Sequence, residues 1–210
     1  MPLIQTTAPA IEPLTLTEAK NHLRVDADLR QDDALIAMLI GAARRYAEMY
    51  CARSFISQGW ALVMDSFPGV GMMGVPWGNP YSLPGNAVLL ERGPVISVDA
   101  ITYTAMDGSP QTLAATEYAV DLSGPLPRIT PRFGKIWPIA LPQIGAVAVS
   151  YTAGYGSTAA SVPDGIRHWM LMRMTTLYRN REEVAILGRG KVDPLPYVDG
   201  LLDPYRVVRL

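Results

Sequence analysis

Glycine and proline are spread unevenly along this chain, and that unevenness constrains the fold more than any other feature. Both are sparse from Leu14 to Phe55, dense from Gly59 to Pro163, and sparse again from Ile166 to Leu187. In a helix interior glycine costs about 1 kcal/mol and proline about 3 kcal/mol relative to alanine. The same two residues supply the backbone angles that tight turns require. Helix is therefore expected at both ends, with short strands and turns between. The fold class this predicts is α+β. A helical core is built from the N- and C-terminal segments, 1–55 plus 162–210, and an antiparallel β-sandwich-like domain is inserted over 56–161.

Local signals sharpen the helices. Thr15-Leu16-Thr17-Glu18 has the spacing of a capping box, in which the Thr oxygen and the Glu carboxylate each accept from a free backbone N–H. Leu16, Ala19 and Leu23 then line one face, and the helix should end by Val25. In the second helix Asp28 is the expected N-cap, with Asp32 and Asp33 where negative charge suits the helix dipole. Leu35, Leu39, Ala42, Tyr46 and Tyr50 recur at helical spacing, and Ile36, Ala43 and Ala47 widen the stripe. Arg44, Arg45 and Glu48 fall on the polar side. In the third helix Pro163 takes the first position, and Ile166, Trp169, Met170, Met174, Leu177 and Tyr178 share a face.

Between them, Trp60, Leu62 and Met64 alternate with Gly59, Ala61 and Val63 as in a half-buried strand. Ala87–Leu90 and Val95–Val98 flank a turn at Glu91-Arg92-Gly93-Pro94. Ile101 to Thr104 runs into Asp107-Gly108, a hairpin signal because both residues tolerate positive φ. Tyr118–Leu122 and Ala146–Thr152 are further strands.

The chemistry-bearing residues exclude more than they propose. The 210 residues carry 18 Lys+Arg against 19 Asp+Glu, so no global basic field grips nucleic acid. The single cysteine, Cys51, forms neither an internal disulfide nor a thiolate zinc site, and reads as a buried structural thiol. His22 reads as solvated and His168 as structural. No metalloprotease or nucleophile-elbow motif is present, and no cofactor is expected. Gly188-Arg189-Gly190-Lys191 lacks phosphate-loop spacing, so Arg189 and Lys191 are expected in a loop facing a partner or a channel. Trp60 and Trp169 read as core, whereas Trp77 and Trp137, in Pro/Gly-rich loops, read as exposed contact aromatics. The longest apolar run, Ala34–Ala43, is too short to span a bilayer, and the first residues lack a secretory pattern, so a cytoplasmic site of synthesis is expected.

An ordered set of short patterns resembles the tailed-phage head–tail connector (adaptor) family, in particular its larger members with an inserted β domain. The set opens with Pro13-Leu14-Thr15-Leu16-Thr17-Glu18-Ala19-Lys20-Asn21-His22-Leu23-Arg24-Val25-Asp26, then Ala42 to Glu48 and Arg53-Ser54-Phe55-Ile56. Gly93 to Val98, Trp137-Pro138 and Ala153-Gly154-Tyr155-Gly156 resemble the insert. Leu177 to Glu182 and Leu201-Leu202-Asp203-Pro204-Tyr205-Arg206 resemble the close.

The resemblance implies a structural, non-catalytic protein of the virion head–tail junction, assembled in the bacterial host cytoplasm. It implies a homo-oligomeric ring of twelve copies beneath the portal protein, with a stopper or tail-completion protein on its other side. DNA would pass through without sequence-specific binding, and no membrane is involved. Gene transfer agents use similar adaptors. The resemblance also makes the closing segment, with Leu201, Leu202, Tyr205, Arg206 and Val207, the expected portal contact. A tail- or baseplate-associated virion protein that binds glycans through Trp77 and Trp137 is the alternative.

Overall fold

A computed structural model of the chain describes residues 2–69, 86–124, 126–180 and 200–207. The chain divides into two compact units: Met1–Ala8 with Ser57–Gly154, and Pro9–Ile56 with Tyr155–Leu210.

The second of these is helical. Thr15 caps α1 (Leu16–Leu23), and both halves of the capping box form. Arg24 then turns left-handed, with its N–H on the carbonyls of Lys20 and Asn21, which ends the helix. The long helix α2 (Asp33–Cys51) is preceded by Asp32, not by Asp28 as the sequence pattern predicts. Residues 26–32 instead form turns, held from within by the Lys20 ammonium on the carbonyls of Ala27 and Leu29. A left-handed Ala52 closes α2. Pro163 precedes α3 (Asp164–Arg179), one position before its expected place.

The core of this unit joins Ile36, Ile40, Ala43, Ala47 and Cys51 of α2 to Ile166, Trp169, Met170 and Met174 of α3, with Phe55, Ile56 and Leu202. The stripe is therefore centred on Ile36, Ile40 and Ala47. Tyr46, expected at its centre, is half exposed and stacks on Trp169 at 5.6 Å. Ile56 bridges Gly156, and the Tyr155 N–H meets the Phe55 carbonyl at 3.0 Å, so the two chain ends that flank the β residues are stitched together here.

The β unit holds two antiparallel sheets. The larger contains β1 (Leu3–Thr7), β2 (Gln58–Met64), β4 (Val95–Thr104), β5 (Pro110–Thr112) and β8 (Val147–Ala153), in the order β1-β2-β8-β4-β5. The smaller contains β3 (Val88–Leu89), β6 (Tyr118–Asp121) and β7 (Arg128–Pro131), in the order β3-β7-β6. Leu62, Met64, Ile101, Val147, Val149 and Tyr151 from the larger sheet share a core with Val88, Tyr118 and Ile129 from the smaller. Sheet on sheet around one apolar core is a sandwich. The Asp107-Gly108 hairpin forms between β4 and β5, with Gly108 at φ +84 and the Ser109 N–H on the Asp107 carboxylate.

The first strand corrects the expected boundary, which put residues 1–55 in the helical part. Leu3 lies opposite Leu62 and Thr7 opposite Gly59, so the start of the chain is a strand of the β unit. Such a pairing spans more than fifty residues and leaves no local trace. Gly59 is required there, because a Cβ on it would lie 2.7 Å from Thr6 Oγ1. The β unit also ends at Gly154 rather than 161, because Tyr155 and Val162 pack with the helices.

Candidate functional site

Three places hold the residues that bear on function. The first is the C-terminal end of α2, where the closing segment docks. Leu202 is fully buried in the helical core, and Tyr205 packs against it. The Arg53 guanidinium donates to the Tyr205 carbonyl at 2.6 Å, and the Val207 N–H donates to the Cys51 carbonyl at 3.0 Å. Tyr50 donates to Asp203 at 2.9 Å, and Arg206 lies over the Tyr50 ring at 5.1 Å. The structure thus brings Leu201, Leu202, Tyr205, Arg206 and Val207 together, but not as a loose tail. Leu202 is a core residue, and only Arg206 of the five is exposed. Cys51 lies beneath them, and burial pushes its thiol up to about 11, so it stays protonated and unreactive at neutral pH.

The second place is a charged network inside the helical unit that sequence reasoning missed. Arg44 and Glu48, assigned to the polar side of α2, are both buried. Arg44 donates to Glu12 at 2.7 and 3.2 Å and to Glu48 at 2.8 Å. The other Glu48 oxygen accepts the Phe55 backbone N–H at 2.8 Å. The two carboxylates raise the Arg44 pKa against the opposing pull of desolvation. One network therefore ties the chain before α1 and the chain after α2 to the middle of that helix. A second buried cation, Lys20, reaches Asp33 at 2.5 Å. The i, i+4 spacing of Arg44 and Glu48 was visible; the arrival of Glu12 was not.

The third place is the loop between β7 and β8. Trp137, expected to be an exposed contact aromatic, is buried: it stacks on Phe67 at 4.9 Å, and its indole N–H donates to the Asn86 carbonyl at 2.7 Å. Its ring face is taken, which removes it from any glycan platform. Its neighbours are the exposed ones. Phe133, Ile136, Ile139 and Ile144 are 105, 87, 77 and 93% exposed. The signal for them was present in Phe133-Gly134-Lys135-Ile136-Trp137-Pro138-Ile139, where apolar residues sit among turn formers. Arg189, Lys191 and Trp77 lie outside the described residues. His22 and His168 are exposed, Trp169 is core, and Trp60 is half buried beneath the Arg92 guanidinium at 5.6 Å. Among the described residues, no helix is long and apolar enough to cross a membrane.

Comparison with known proteins bears on these surfaces. A family model described as phage gp6-like head-tail connector protein matches residues 13–104, which run from the α1 capping box to the end of β4. A search of curated proteins finds no match. Among solved structures, the chain is similar to one in the virion of a native gene transfer agent particle, with 25% identity and a TM-score of 0.76. That match covers 100% of this chain and 97% of the other. With the same coverage it shares its fold with chains in the neck of an empty particle computed with C6 symmetry (24% identity, TM-score 0.76) and the neck of a native particle computed with C12 symmetry (24%, 0.68). The family match covers α1, α2 and β2 to β4, fewer than half of the chain's residues, whereas the fold likeness to the gene transfer agent chains runs end to end.

Proposed function

We propose that this chain is a head–tail adaptor: a structural, non-catalytic protein of the neck of a phage-like particle, working as a ring of identical copies. The observation that carries this reading is the end-to-end likeness to a chain of a gene transfer agent virion, together with the connector match over residues 13–104. The C12 symmetry used for one matched neck supports twelve copies. A near-balanced charge suits a conduit, because a strongly cationic wall would retain DNA through counterion release.

In this reading the ring sits beneath the portal protein, receives a stopper or tail-completion protein on its far side, and is built in the host cytoplasm. The closing segment, seated by Leu202 and Tyr205, offers its exposed side at Arg206 to the portal. The test is localisation of the chain in purified particles by cryo-electron microscopy, with a pull-down against the portal protein of the same particle. Density for a ring at the neck, and portal retention that falls for Arg206→Glu, are expected. Particles with no copy of the chain at the junction would overturn the proposal.

A further inference from the structure

Two guanidiniums at the C-terminal end of α2 are held in place by groups that leave their outer donors unused. The Arg53 Nε–H donates to the Tyr205 carbonyl at 2.6 Å. That carbonyl belongs to the peptide link that leads into Arg206, whose guanidinium lies over the Tyr50 ring at 5.1 Å, a contact that consumes no N–H donor. Among the described residues neither arginine pairs with a carboxylate, whereas Arg44, Arg128 and Arg167 each do. Nearby Asp203 instead accepts from the Tyr50 hydroxyl at 2.9 Å. Burial raises the Cys51 pKa most; Arg53 and Arg206 oppose it and Asp203 adds to it, so the three charges lie around one sulfur. Cations at a helix C-terminus also suit the helix dipole. Backbone donors already meet the last carbonyls of α2, however, with the Arg53 N–H on Glu48 at 3.1 Å and the Val207 N–H on Cys51 at 3.0 Å.

A guanidinium fork grips a carboxylate through parallel N–H···O bonds, and fixing the fork beforehand lowers the cost of doing so. The local charge says which anion fits. Two cations, Arg53 and Arg206, less one carboxylate, Asp203, leave an excess of one positive charge. A single carboxylate cancels it. A DNA strand brings a run of phosphates and is held by many cations at once, and Asp203 would repel it. The rim also suits protein, because Tyr50, Leu201 and Tyr205 are half buried there and offer apolar surface beside the charge. We propose that Arg53 and Arg206 form a receptor for an aspartate or glutamate side chain on an acidic segment of a partner protein. This rests on the adaptor reading above, in which the closing segment meets the portal, and it assigns the chemistry of what is received there.

The experiment titrates the isotope-labelled full chain with a capped pentaglutamate peptide, its pentaglutamine counterpart and a short DNA duplex, and follows the arginine side-chain N–H resonances. Pentaglutamate should move the Arg53 and Arg206 signals most and leave those of Arg44 in place; pentaglutamine should move none. Arg206→Gln, at an exposed position, should melt at the wild-type temperature and bind pentaglutamate roughly tenfold more weakly. Arg206→Lys should recover only part of that loss, because a point charge lacks the fork. Wild-type binding by Arg206→Gln, shifts spread evenly over the exposed Arg24, Arg30 and Arg45, or DNA held more tightly than the peptide would each overturn the receptor. Full recovery with lysine would count against the fork. None of these outcomes bears on the adaptor reading, which falls if particles carry no copy of the chain at the neck.

Discussion

The helical unit and the β unit solve the burial problem in opposite ways. Lys20, Arg44 and Glu48 lie inside the helical unit, each paired, while among the described residues of the β unit Gln58 is the buried polar side chain. The β unit keeps its turn carboxylates in water, where Asp107 and Asp121 each accept from a serine two residues on, and it exposes four large apolar side chains on one loop. The contrast follows from connectivity. In the helical unit the chain before α1, the end of α1 and the chain after α2 must each find their place along α2, and the buried ion pairs of Lys20, Arg44 and Glu48 fix those places where apolar packing alone would tolerate sliding. The β ladder sets register through its own hydrogen bonds and turns.

This contrast can be tested from its strongest point downward. Arg44→Met leaves the Glu48 carboxylate buried without its cation, and should cost the helical unit about 3–5 kcal/mol in denaturant unfolding. Adding Glu48→Gln removes the stranded charge, keeps an acceptor for the Phe55 N–H, and should recover at least half of the loss. No recovery would mean that packing, not charge, sets this register. In the β unit, Trp137→Ala should cost about 3 kcal/mol through the lost stack and indole hydrogen bond, read as a lowered melting temperature. A neutral outcome would restore Trp137 as a surface aromatic.

Ala52→Gly relieves a left-handed residue at φ 53 and should stabilise the helical unit by about 0.5–1 kcal/mol. The smallest effect belongs to Glu18. The Thr15 N–H and hydroxyl, with Arg167, hold its carboxylate below the ordinary 4.5. A depressed carboxylate contributes stability above its unfolded pKa and loses it as the pH falls through the folded one. Glu18→Gln, which keeps the capping box, should therefore cost only about 0.3 kcal/mol at pH 7, and the difference should shrink as the pH falls from 4.5 and vanish below the lowered folded value. A difference that persists in acid would assign the effect to geometry.

Much of this was legible before any coordinates. The capping box at Thr15, the left-turning Asp107-Gly108 hairpin, the α3 face and the burial of Cys51 each depend on neighbours within a few residues or on a single periodicity, which a sequence carries openly. The buried cations misled for the same reason: a helical pattern assigns Arg44 to water, and only the distant Glu12 makes its burial tolerable. Trp137 turned inward because a Pro/Gly-rich loop does not show which of its apolar residues will find a ring to stack on; Phe67 decided it.

Local chemistry along the chain therefore determined that three helices flank a run of short strands, where α1 begins, and that the two ends share a helical core. Tertiary structure alone decided that the first five-residue strand joins the β sheet, that three charges lie inside the helical unit, and that the apolar side chains of the β7–β8 loop face outward. Those outcomes depend on partners far away in sequence, and the free energy of a buried charge or an exposed isoleucine is set by what comes to lie beside it in space.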